Sequence, residues 1–63
     1  MKKYHHCVVL HSGECYRKKV MTNESAQQQG ERVWETTPEV FLVEIREDLG
    51  DDWGPDYYIR NVQ

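Results

Sequence analysis

Apolar and polar positions alternate twice near the start of the chain, then take helical spacing, then alternate again. The first run, Tyr4 to His11, holds Cys7, Val8, Val9 and Leu10 and stops at Ser12-Gly13. A second run from Cys15 to Met21 alternates with Tyr16 and Val20 on one side. Ser12-Gly13-Glu14 between them reads as a hairpin loop. A three-residue loop pairs His11 with Cys15 and Leu10 with Tyr16. That register puts Val8, Leu10, Tyr16 and Val20 on one face, and Cys7, Val9, His11, Cys15, Arg17 and Lys19 on the other.

Next, Ala26, Gly30, Val33 and Trp34 fall at i, i+4, i+7 and i+8, the spacing of one helix face. Thr22 or Asn23 is the expected N-cap, with Glu24 in the first turn. Gln27, Gln28, Glu31, Arg32 and Glu35 fill the opposite side, and the whole Gln27-Gln28-Gln29 run is expected at the helix surface. Glycine costs about 1 kcal/mol against alanine in a helix, so Gly30 on the apolar side implies close approach to a sheet. Thr36-Thr37-Pro38 ends the element.

Glu39 to Arg46 gives the clearest strand, with Phe41, Val43 and Ile45 to one side and Val40, Leu42, Glu44 and Arg46 to the other. Glu47 to Asp56, carrying Gly50, Gly54 and Pro55, reads as an acidic loop. Tyr57 to Val62 is the last strand. The order ββαββ predicts a single α+β domain over 1–63, a two-layer sandwich of an antiparallel sheet with one helix on one face. The competing architecture is a small five-stranded β-barrel, with Arg32 to Thr36 as a strand.

One helix covers one face. Val9, Val40 and Leu42, with Cys7, are then left on the other, joined by Tyr58 and Val62 in one register of the last strand. Either the stems of Arg17, Lys19 and Arg46 screen this patch or it is an interface. Self-association into a homodimer is the simplest occupant.

Size sharpens that expectation. A chain of 7.5 kDa folds to an accessible surface of about 4,200 Å², which leaves a thin core. Two cysteines are too few for a disulfide framework. No apolar run is long enough to span a bilayer, and the basic start lacks an apolar segment after it, so no signal peptide is expected. These features predict a soluble cytoplasmic protein without membrane association.

Charge is uneven along the chain. The net −3 divides into +3 over residues 1–30 (five Lys/Arg, two Glu) and −6 over residues 31–63 (three Arg, nine Asp/Glu). Trp53 lies among Asp51, Asp52 and Asp56, either folded back to cap the core or presented as an aromatic anchor for a basic partner surface. The basic second strand offers Tyr16, Arg17 and Lys19 as a rival single-stranded nucleic-acid site, against which stand a pI near 5.5 and the acidic second half.

His5, His6, Cys7, His11 and Cys15 are metal-ligand types, but on a strand Cys7 and His11 stand about 13 Å apart. No metal is therefore expected, and a Cys7–Cys15 disulfide is disfavoured for the same reason. The loop carboxylates lack an EF-hand pattern. No nucleophile motif or phosphate-binding loop is present, so neither catalysis nor a cofactor is expected. The layout of hairpin, capped helix and strand resembles that of many small regulators, including some phage-encoded inhibitors of host enzymes; no motif or site residue is carried over from them. The reading is a non-enzymatic protein-binding module, an inhibitor or adaptor. Its surfaces would be the Trp53 loop (Asp51, Asp52, Trp53, Asp56) and the bare face (Val9, Val40, Leu42).

Overall fold

A computed structural model describes residues 1–62. The chain runs β1 (Lys2–Leu10), β2 (Cys15–Thr22), α1 (Ala26–Thr36), β3 (Val40–Asp48), β4 (Trp53–Asn61). The strands form one antiparallel sheet in the order β2-β1-β3-β4. The sheet is open, so the barrel is excluded, and Arg32 to Thr36 is helix. Accessible surface is 4428 Å², close to the value expected from mass.

The first hairpin pairs two residues away from the expected register, its loop set one residue earlier: Val8 faces Tyr16 and Val9 faces Cys15. Gly13, at φ 93°, decides this. A three-residue hairpin loop places its left-handed residue last, so the loop is His11-Ser12-Gly13. Leu10 donates to the Glu14 carbonyl at 2.8 Å and Gly13 donates to Leu10 at 2.9 Å. The shift leaves the side-chain parity unchanged.

Helix α1 is capped by Ser25, not by Thr22 or Asn23. Gln28 N–H donates to Ser25 Oγ, and Ser25 N–H donates back to Gln28 Oε1, both at 3.1 Å. This reciprocal box outcompetes the upstream candidates. Thr22 lies within β2 and its hydroxyl accepts from Glu24 N–H. No acid remains in the first turn.

Tyr4, Val8, Ala26, Val43 and Ile45 form the buried apolar core, with Val33, Trp34, Val40 and Tyr58 packed on part of it. A Cβ built on Gly30 would fall inside the Tyr58 ring, which explains glycine there. Tyr16 and Phe41, expected beneath the helix, are 43% and 39% exposed: α1 packs over β3 and β4 rather than reaching β2, and Phe41 is the bulged residue of β3.

Two bulges redistribute the other expectations. One lies between Val9 and Leu10 on the β1–β3 ladder: Val9 faces Leu42 but Leu10 faces Val40, so Phe41 is extra. Val40 thereby turns from the expected bare face to the core. The second lies between Arg46 and Asp48. There Gly54, Pro55 and Asp56 stand opposite Glu47 alone. The expected ten-residue acidic loop is therefore a hairpin whose connection is only residues 49–52. Leu49 N–H donates to Asp52 O, and Gly50 sits at φ 95°. Glu47 is in β3 and buried at 6% exposure. Tyr58 pairs with Ile45 and faces the helix, so Tyr57 and Ile59 take the open-face positions expected for Tyr58 and Val62.

Candidate binding face of the open sheet

The registers set the open face as cross-strand rows. Met21, Lys3, Asp48 and Trp53 lie at the end nearest the 49–52 turn. Then come Lys19, His5, Arg46 and Tyr57; then Arg17, Cys7, Glu44 and Ile59; and last Cys15, Val9, Leu42 and Asn61. Antiparallel pairing of β1 with β3 thus interleaves the basic and acidic halves of the chain.

Trp53 neither caps the core nor stands clear of the protein. It is 48% exposed and starts β4. The His5 ring meets it edge-on with centroids 5.1 Å apart, and the Arg46 guanidinium lies 5.3 Å from its ring centre. Arg46 also lies 5.6 Å from the Tyr57 ring. Its Nη2 and Nε donate to Glu44 Oε2 at 3.0 and 3.1 Å, and the Tyr57 hydroxyl donates to the same oxygen at 3.0 Å. That bond and partial burial raise the Tyr57 pKa, burial being the larger cause. His5 Nε2 meets Asp48 Oδ2 at 2.8 Å. The Gly50 amide, first, and His5, second, lower the Asp48 pKa. These contacts frame a shallow concavity of about 250 Å³ lined by His5, Cys7, Arg17, Glu44, Arg46 and Trp53.

The face therefore mixes half-exposed apolar area (Trp53, Tyr57, Ile59) with charge. Its two carboxylates are engaged internally, whereas Lys3, Arg17 and Lys19 enter no ion pair among the described residues. Val9 and Leu42 keep their expected open-face places and are half-buried.

The other candidates scatter. Asp51 and Asp52 are exposed in the turn beside Trp53, and Asp52 Oδ1 accepts from the Trp53 amide. Asp56 turns inward: its Oδ2 accepts from the Tyr4 hydroxyl at 2.7 Å and the Ala26 amide at 2.9 Å. Those bonds, the Tyr4 one foremost, lower its pKa. It pins β4 to β1 and to the start of α1, a structural duty that removes it from the surface set. Tyr16 lies on the helix side of β2 and does not share a face with Arg17 and Lys19. The two cysteines are free thiols, and no three metal-ligand side chains cluster among the described residues.

Sequence reasoning missed His6 and Gln29. Both are buried, at 6% and 2% exposure. Gln29 Nε2 donates to the carbonyls of Glu24 and Ser25 at 3.0 and 3.2 Å. Its Oε1 is thereby turned to His6 Nε2, 2.8 Å away. His6 must then carry its proton on Nε2, which leaves Nδ1 buried without a partner. Burial, opposed by the Gln29 bond, lowers the His6 pKa. The signal was present: Tyr4-x-His6-x-Val8 continues the period of two, and Gln29 stands three residues from Ala26 and four from Val33.

Comparison of the chain with protein-family models, with curated proteins and with solved structures gives no match. No helix among the described residues is long and apolar enough to cross a membrane.

Proposed function

We propose that the protein is a non-enzymatic binding module that docks another protein on the open face of its sheet, with Trp53 and Tyr57 as anchors. The observation that carries this reading is the pair of half-exposed aromatic rings beside one guanidinium, on a face that no element among the described residues covers. Rigid aromatic anchors beside arginine are the usual composition of a binding hot spot. Binding is favoured over catalysis because His5, Glu44 and Asp48 are already engaged with neighbours. Two free thiols fit a reducing compartment such as the cytoplasm.

The acidic turn alone called for a basic partner. The free cations Lys3, Arg17 and Lys19 across the face call for acids on the partner, with Asp51 and Asp52 as a rim of opposite sign. The same cations oppose one another when two copies meet face to face, so a different protein is a better occupant than a second copy.

A nucleic-acid reading draws on the row Lys19, His5, Arg46 and Tyr57, which sets cations beside an aromatic ring. It is the weaker one. Arg46 already lies over both rings, and the Glu44 carboxylate at the centre repels phosphate.

Affinity capture from the source cells tests the proposal, using wild type and the double variant Trp53→Ala, Tyr57→Ala. The captured protein should be lost from the double variant while its melting curve stays near wild type. Equal capture by both would sink the reading. Binding of mixed single-stranded oligonucleotides that vanishes in the double variant would install the nucleic-acid reading instead.

A further inference from the structure

We infer that the outer edge of β2 takes up an extended segment of alternating acidic and apolar residues by strand addition. The two edges of the sheet differ. On β4, Pro55 has no amide to donate, and the two extra residues opposite Glu47 break the edge. β2 pairs with β1 over its full length without a bulge, and α1 does not reach over it. Five consecutive residues, Cys15 to Lys19, are exposed.

Backbone bonding fixes which groups are free. Leu10 bonds to Glu14 across the hairpin, and bonded pairs recur at every second residue of an antiparallel ladder. Tyr16, Lys18 and Val20 therefore bond to β1. The amides and carbonyls of Cys15, Arg17, Lys19 and Met21 point outward as a ready template for another strand.

Charge selects the occupant. Arg17 and Lys19, on the open-face side of β2, enter no ion pair among the described residues, while Lys18 lies on the helix side between Tyr16 and Val20. A second β2 is a poor partner, since two-fold pairing about Lys18 sets Arg17 against Lys19. An incoming strand with acids on the open-face side meets Arg17 and Lys19. Its alternate, apolar residues meet Tyr16 and Val20, beside a groove of about 150 Å³ that Val8, Tyr16, Val33 and Thr36 help to line. This edge is distinct from the Trp53–Tyr57 surface, and either can fail without the other.

The test titrates isotopically labelled protein with a short blocked peptide of alternating glutamate and valine, following amide shifts and amide exchange. A lysine–valine twin and a glutamate–valine peptide N-methylated on its pairing edge serve as controls. The glutamate peptide should bind at least about tenfold more tightly than either control, with the Arg17 and Lys19 amides slowed in exchange. Met21→Pro, which removes an outward amide only, should weaken it similarly, and Trp53→Ala should leave it unchanged. Equal binding of the N-methylated peptide, equal binding of the lysine twin, shifts confined to the Trp53–Tyr57 face, or no binding would each overturn the inference.

Discussion

The two faces of this sheet are built from the same strands, residue by residue in alternation, yet they carry different kinds of interaction. Under α1, Tyr4, Val43 and Ile45 are fully buried, and the polar groups among them are tied into fixed bonds: Tyr4 to Asp56 and His6 to Gln29. On the open face the large side chains Trp53, Tyr57 and Ile59 stay near half exposure, and only His5–Asp48 and Arg46–Glu44 pair there, leaving Lys3, Arg17 and Lys19 without an ion pair among the described residues. Stability resides on the first face and adaptable contact area on the second. A small domain with one helix has apolar surface for one core, and what lies on the far side of the sheet is free to recognise something else.

The comparison breaks most directly on two isoleucines. Ile45→Ala should cost about 3 kcal/mol, a large part of the roughly 3–9 kcal/mol expected of a chain this size. Ile59→Ala, the same change at 49% exposure, should cost less than about 1 kcal/mol. Urea denaturation midpoints check both. Near-equal costs would mean that the open face is part of the core. Gly30→Ala comes next. Helix propensity favours alanine by about 1 kcal/mol, but the added methyl enters the Tyr58 ring, so a net loss of about 1–2 kcal/mol is expected.

Proton linkage sharpens the contrast, because the helix-covered face holds the buried titrating groups. His6 has a folded pKa below its ordinary 6.5, so the unfolded chain takes up a proton first. Stability should fall as pH drops from about 6.5 toward that lower value, and His6→Leu should flatten this limb. Tyr4 is pushed up from 10.0 to about 12 by burial first and by its bond to Asp56 second. Its contribution is complete below pH 10 and should be lost as pH rises toward 12. Thermal melts across pH read both limbs. The smallest effect is expected for Arg46→Ala, under about 1 kcal/mol, since its ion pair and ring contacts are only partly buried.

Which parts of this were legible in the sequence follows from the range of the forces involved. The element order, the face parity of β1 and β2 and the close approach at Gly30 depend on local periodicity and on one glycine, and they were readable. Val40 was misplaced because the first bulge adds one residue to β3, and Tyr58 and Asp56 because their face is set by the pairing of β4 with β3; both are fixed by two strands together. Pro55 and Gly54 signalled a loop by composition, yet an edge strand tolerates both. Val9 and Leu42 on the open face followed from alternation alone. The aromatic pair that anchors the proposed site did not, since which face Tyr57 takes is set by the pairing of β4 with β3 and not by any pattern within β4.

The central claim, that recognition uses the open face, is tested most directly at Cys7, which lines the concavity beside Trp53 and Arg46. With Cys15→Ser leaving Cys7 as the sole thiol, maleimide labelling would be timed on the free protein and on its complex with the protein captured from source cells. Docking on the open face requires Cys7 to react in the free protein and to be protected in the complex. The same labelling rate in both states would contradict it.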